Sequence, residues 1–294
     1  MNHTAQALAD LIVHCHADKG AGPALAAQAH IDRSAVAVSA ALDLALPALG
    51  FEPHDAAILK SAWLRQSQRL GGFEANRWPS NALDFVLHAH PLPFPPCPKN
   101  SGLYAVLPSA DWVARMAAVG VPTLQLRFKS DDRRAIEREV IAAVRAVQGS
   151  TSLLFINDHW ASAIEHGAYG VHLGQEDLRI APIERLRMSG VRLGLSTHGY
   201  AEMLRADAIG PSYLALGAVF PTTLKRMATP PQGLGRLQAY AQLMAHRPLV
   251  GIGGIDASRF ADVRACGVGS VAVVRAIVGD AQAEQAALKL MAAW

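Results

Sequence analysis

Between Gly102 and Val274 the chain alternates eight short runs rich in β-branched and aromatic residues with runs of helical apolar spacing. The short runs are GLYAVL (102–107), TLQLRF (123–128), SLLFIN (152–157), YGVHL (169–173), RLGLS (192–196), YLALGAV (213–219), PLVGIG (248–253) and SVAVV (270–274). Alternation of this kind signals parallel strands joined by helical crossovers. Eight strands is the number that closes such a sheet, so residues 101–294 are expected to form an α/β chain folded as a (β/α)8 TIM barrel. A doubly wound open sheet is the competing arrangement, but no Gly-rich dinucleotide fingerprint follows the first run.

Five prolines in HAHPLPFPPCPKN (88–100) preclude helix and predict an extended connector. Before it, ALADLIVH, SAVAVSAALDLAL and HDAAILKSAWLRQSQRL carry helical spacing, which predicts a small helical extension over residues 1–87. His14, Cys15 and His16 are candidate ligands only on paper, because adjacent residues of a helix point in different directions. Every motif with a chemical reading lies after Gly102, so the extension is expected to be dispensable for the chemistry.

The 294 residues carry a formal charge of +3, and no clustered basic stripe with interleaved aromatics suggests nucleic acid as a partner. Charges interrupt every apolar stretch, so no membrane span is predicted. The start lacks the order of a secretory signal, and three cysteines (Cys15, Cys97 and Cys266) show no paired spacing. A cytoplasmic protein is expected; nothing in the sequence specifies an oligomeric state.

In a barrel of this type the active site lies where the strands end, at their C-terminal side. Gln125, Arg127 and Lys129 close the second run, and their spacing turns them to one face of an extended segment. That face is either an anion site or a solvated strand end. Asp158 after the third run and Asp177 after the fourth supply the one or two carboxylates that Mg²⁺ prefers, although Asp158 would equally suit a helix N-cap. His172 either faces the barrel mouth or is a hydrogen-bonded core histidine. Ser196, Thr222 and Thr223 offer hydroxyls, Lys225 a point charge, and His198 a possible base. GIGGI and the Val274–Arg275 step offer backbone amides at the usual phosphate site of the fold. The strand ends thus present two separated anion sites, which implies two phosphorylated substrates.

QLRFK, IND, GVHLGQED, GLSTH, ALGAVFPTTLK, PPQGL, GIGGI and GVGSVAVV stand in the order and spacing of one family. From about Gly102 to Ile277 the chain resembles the thiamine-phosphate synthases, which are TIM barrels. The resemblance implies a Mg²⁺-dependent transferase that joins a pyrimidine diphosphate to a thiazole phosphate, or to its carboxylated precursor. It further implies that Gln125, Leu126, Arg127, Phe128, Lys129, Asn157, His172, Ser196 and Lys225 hold the pyrimidine diphosphate. Arg127, Lys129, Lys225 and Ser196 would be the catalytic groups among them, with Asp158 and Asp177 binding Mg²⁺. Thr222, Thr223, Leu224, Gly253, Gly254, Val274 and Arg275 would cradle the thiazole phosphate. The chain departs from the family pattern at Ala218 (usually Pro), Leu224 (usually Thr) and Arg275 (usually Ser). Two other functions remain compatible: a thiazole tautomerase on the same barrel, with a histidine near GLSTH moving the proton, and a non-catalytic module that binds thiamine precursors.

Overall fold

The computed structural model describes residues 3–19, 34–222 and 229–294. Among the described residues three α-helices come first: α1 (His3–Cys15), α2 (Ala35–Ala48) and α3 (Pro53–Leu70). Local chemistry sets their ends. Ser34 accepts from the Ala37 amide at the start of α2, and α3 opens on a proline and stops at Gly71 in the left-handed conformation.

All eight short runs are strands: β1 (Gly102–Leu107), β2 (Thr123–Leu126), β3 (Leu153–Asn157), β4 (Gly170–Leu173), β5 (Arg192–Thr197), β6 (Tyr213–Leu216), β7 (Leu249–Ile252) and β8 (Ser270–Val273). They pair in parallel and in sequence order, and β8 pairs with β1 to close the barrel. The outer helices are α4 (Ala110–Ala118), α5 (Arg133–Ala146), α6 (Trp160–Glu165), α7 (Gln175–Leu178), α8 (Ile183–Met188), α9 (Tyr200–Ala208), α10 (Gly233–Leu243), α11 (Phe260–Ala265), α12 (Arg275–Val278) and α13 (Ala283–Ala292).

Successive strand residues face opposite ways, and the buried side chains sort accordingly into two cores. Leu103, Ala105, Leu124, Leu154, Val171, Leu193, Leu214 and Val271 face outward into the layer beneath the helices. Tyr104, Val106, Phe155, Tyr213, Ala215, Val250 and Ala272 fill the barrel interior. The interior accepts these rings because neighbouring strands set glycine against them. A Cβ on Gly170 would lie 2.4 Å from the Phe155 ring, and one on Gly194 2.1 Å from the Tyr213 ring. Large and small residues therefore alternate around the barrel, as a small closed barrel requires.

The N-terminal helices share the outer core, where Leu8, Ile12, Leu42, Leu46 and Trp63 belong to the same apolar cluster as Tyr200, Met203 and Tyr240. Residues 88–100 carry no helix or strand. They run past the N-terminal ends of the strands, where the Phe94 amide donates to the Gly210 carbonyl and Ser101 to that of Gly269. No helix among the described residues is long and apolar enough to cross a membrane.

Candidate active site

Inward-facing positions turn polar at the C-terminal ends of the strands. Register places Asn157 beside His172, and Gln125 follows Phe155 around the barrel. Gln125 donates from Nε2 to Asn157 Oδ1 at 2.7 Å, and its Oε1 accepts from the Tyr104 hydroxyl at 2.9 Å. That hydroxyl is 2.7 Å from the Tyr213 hydroxyl, which is in turn 2.7 Å from Nδ1 of His172. His172 Nε2 then meets Ser196 Oγ at 2.8 Å. Six side chains from six strands thus form one hydrogen-bonded floor beneath the barrel mouth. His172 is buried and hydrogen-bonded through both ring nitrogens, as a core histidine is, and its Nε2 reaches Ser196 at the mouth.

Within such a network bond directions are coupled. Tyr104 donates to Gln125, so Tyr213 donates to Tyr104 and Nδ1–H of His172 donates to Tyr213. In the neutral imidazole that leaves Nε2 as the acceptor for the Ser196 hydroxyl. Gln175 at the start of α7 adds a bond from Nε2 to the Ser196 carbonyl at 2.7 Å.

Beside this floor stands the charged group. Lys129 Nζ lies 2.5 Å from Asp158 Oδ2, and the Asp158 and Asp177 carboxyls are close enough to shift each other's protonation. Burial pushes the Asp158 carboxyl up, but the bond and charge of Lys129 outweigh it and hold it below the ordinary range. Burial and the facing Asp158 carboxylate both push the Asp177 carboxyl up. The capping alternative for Asp158 is not what the structure contains. Helix α6 begins two residues later behind His159, without a side-chain cap bond. Asp158 itself sits at φ 63°, a backbone region uncommon outside glycine and characteristic of functional turns. Two half-buried carboxylates forced together are the donor set a hard dication takes, so the residues present fit Mg²⁺.

The remaining residues fall into place unevenly. Arg127 is half-buried just beyond β2. Leu126 is buried in the outer core and Phe128 packs against it, so these two side chains line the layer beneath the helices. The Phe128 carbonyl pairs with His159 Nε2 at 3.1 Å. His198 is held by Glu202, whose Oε2 is 2.6 Å from Nδ1 and also accepts from the His198 amide.

On the opposite side of the mouth, Gly253 and Gly254 have φ values of 104° and 67°, and Thr222, Val274 and Arg275 stand nearby in the chain order of β6 and β8. A Cβ on Gly254 would lie 2.5 Å from the Pro221 carbonyl oxygen, so close approach to the loop after β6 already demands glycine there. Thr223, Leu224 and Lys225 lie outside the described residues. His16, one of the paper ligands, is buried between Trp63 and Trp78 with Nε2 2.8 Å from the Ala75 carbonyl, and burial pushes it down to about 4.

Tyr104, Tyr213 and Gln175 were not singled out from the sequence. Period two within the first and sixth strands places both tyrosines inward, and a buried phenol needs a polar partner. Which partner it finds depends on strands far away in the chain.

The family model of thiamine monophosphate synthase matches residues 103–277. The thiamine-phosphate synthase of Neisseria meningitidis serogroup B is 49% identical over 201 residues, covering 68% of this chain and 98% of the relative. That of Escherichia coli K12 is 48% identical over 198 residues, covering 67% and 94%. Among solved structures, the thiamine phosphate pyrophosphorylase from Pyrococcus furiosus superposes with a TM-score of 0.58 at 27% identity, over 66% of this chain and 96% of that one. With the match spanning the barrel from β1 to α12, the chain belongs to the thiamine monophosphate synthase family.

Proposed function

We propose that the chain is a thiamine-phosphate synthase that joins a pyrimidinylmethyl diphosphate to a thiazole phosphate, or to its carboxylated precursor. The observation that carries this reading is the Lys129–Asp158–Asp177 group set against the Gln125–Asn157–His172–Ser196 floor. A diphosphate is a polyanion on a flat heteroaromatic ring, and the two halves of this arrangement match its two halves.

Asp158 and Asp177 are the residues to hold Mg²⁺, which when bound neutralises charge on the diphosphate oxygens. Arg127, Lys129 and Lys225 add positive charge beside the same oxygens. The pyrimidine rests on the amides of Gln125 and Asn157, whose orientation the tyrosine bonds dictate. The Ser196 hydroxyl, 2.8 Å from His172 Nε2, turns from that nitrogen to donate to a diphosphate oxygen when the ligand binds.

The carbon–oxygen bond to diphosphate breaks with its electron pair leaving on oxygen. The carbocation-like methylene is then captured by the thiazole nitrogen lone pair, which forms the carbon–nitrogen bond. The nitrogen carries no proton, so no general base is needed; with the carboxylated precursor CO2 leaves and the ring carbon that bore it takes up a proton from water. Catalysis on this account is orientation plus stabilisation of the departing charge. Gly253, Gly254, Val274 and Arg275 would hold the thiazole phosphate by backbone amides and the guanidinium.

The test incubates the full chain with both substrates and Mg²⁺ and reads thiamine phosphate by fluorescence after oxidation. Product that requires all three components is expected. Absence of product with either thiazole form would overturn the reading, and turnover indifferent to chelation would overturn its metal.

A further inference from the structure

Helix α9 follows β5 directly, so its first turn is continuous with the segment bearing Ser196. Its N-cap is Gly199, which has no side chain to satisfy the exposed amides. The cap comes instead from Asp55 in the first turn of α3. Its Oδ2 accepts from the Tyr200 amide at 3.0 Å and its Oδ1 from the Ala201 amide at 2.8 Å, across 145 and 146 positions of chain. The fit is close. A Cβ on Gly199 would lie 2.1 Å from Asp55 Oδ2, so glycine at the cap and the carboxylate from α3 are mutually required.

Other contacts fasten the same joint. Tyr200 is buried against Phe51, Phe85 and Tyr240, and its hydroxyl accepts from Trp78 Nε1 at 2.9 Å. Arg236 of α10 reaches the Lys19 and Leu49 carbonyls and covers the Phe51 ring at 4.0 Å. The barrel side of the turn is held by Gln175 on the Ser196 carbonyl and by Thr197 Oγ1 on the Ala215 carbonyl.

We propose that the N-terminal helical segment is a scaffold for the reaction site, with Asp55 as a positioning residue that, by capping α9 from α3, holds the turn from Ser196 to Ala201 in register with the barrel mouth. Ser196 belongs to the diphosphate side, so loss of the clamp slows departure of diphosphate while the thiazole phosphate still binds. This consequence rests on the synthase reading above.

The experiment compares full-length Asp55→Ala, Asp55→Asn, Gly199→Ser and Asp55→Ala/Gly199→Ser with the parent chain, at a temperature where circular dichroism shows each to be folded. Asp55→Ala is expected to lower kcat about tenfold, as misplacement of a catalytic contact does, with KM for the thiazole phosphate unchanged. Asp55→Asn keeps the shape and one acceptor, and is expected to give a smaller loss. Gly199→Ser alone should also lower kcat, since its Cβ meets the carboxylate. In the double variant the serine caps α9 itself, and kcat should return to near the parent value.

A folded Asp55→Ala or Asp55→Asn protein that melts lower but keeps kcat and both KM values would overturn the proposal and leave Asp55 a structural cap. A double variant that folds but stays slow would overturn the capping route. Hydrogen exchange at residues 196–201 separates this inference from the synthase reading. Faster exchange in Asp55→Ala is expected whatever the parent's activity, and unchanged exchange would overturn the clamp even if the parent makes no thiamine phosphate.

Discussion

The hydroxyl of Tyr213 lies 2.7 Å from Nδ1 of His172, with the two rings stacked at 23°. This bond links a residue in the barrel core to the Ser196 hydroxyl at the mouth through one imidazole. Tyr213→Phe keeps the ring but removes the shared oxygen, while Tyr104 retains Gln125. The expected cost is about 1–2 kcal/mol, read as a fall of a few degrees in the melting temperature. Turnover is expected to fall as well, because His172 then has no fixed tautomer to present to Ser196. Unchanged kcat with a lowered melting temperature would remove His172 orientation from the mechanism.

Asp158→Asn separates charge from backbone. Asparagine tolerates φ 63° as alanine does not, so the fold and melting temperature should be kept. The loss of a carboxylate beside Asp177 and Lys129 should lower kcat by about 100-fold or more and abolish saturation by Mg²⁺. A Mg²⁺ titration of initial rates checks it, and a variant with the parent's rate and metal dependence would exclude the ligand role.

Asp207 on α9 is almost fully buried and receives Arg247 Nε at 2.5 Å and His246 Nε2 at 2.9 Å. Burial pushes its carboxyl up, but these bonds prevail and hold it below the ordinary carboxylate range. A depressed folded-state value means that the pair stabilises fully above the unfolded value of about 3.9 and that this stability is lost as pH falls through the folded value. Asp207→Asn should therefore cost about 3 kcal/mol at pH 7 and progressively less below pH 4. Melting curves of both proteins between pH 7 and 3 should converge, and parallel curves would contradict the assignment.

Arg275→Ser restores the residue usual in the family at the start of α12. The backbone amide survives, and a charge-assisted contact worth about 1.5 kcal/mol or more is removed. KM for the thiazole phosphate should rise about tenfold, with that for the pyrimidine diphosphate unmoved. A rise confined to the pyrimidine diphosphate would reverse the two anion sites.

The eight strands could be read from the chain because each is a short run of β-formers bounded by turn residues, and such runs are recognisable without partners. β1 coincides with GLYAVL to the residue, whereas TLQLRF ends as a strand two residues early, at Leu126. Lys129, Asp158 and Asp177 could be picked out as unusual polar residues at strand ends, yet their mutual contacts could not, since they come from the ends of three different strands. Leu126 and Phe128 show the same limit in reverse. They neighbour Gln125 and Arg127 in sequence, but the period of two turns their side chains outward.

By itself the sequence determined what is local or periodic: the strand and helix succession, the count that closes the barrel, and the placement of polar residues where strands end. Only the tertiary structure decided which of those residues meet. The Tyr104–Tyr213–His172–Ser196 chain requires β1, β4, β5 and β6 to close around one interior. Asp55 shows this most plainly. In sequence it is an acid in the first turn of α3, suited to that helix's own dipole. In the folded chain its carboxylate caps α9, because a cap needs only an oxygen at the right distance and the chain supplied it from another helix, leaving Gly199 bare. Spacing cannot encode such a contact, because the residues that share it are separated by most of the barrel.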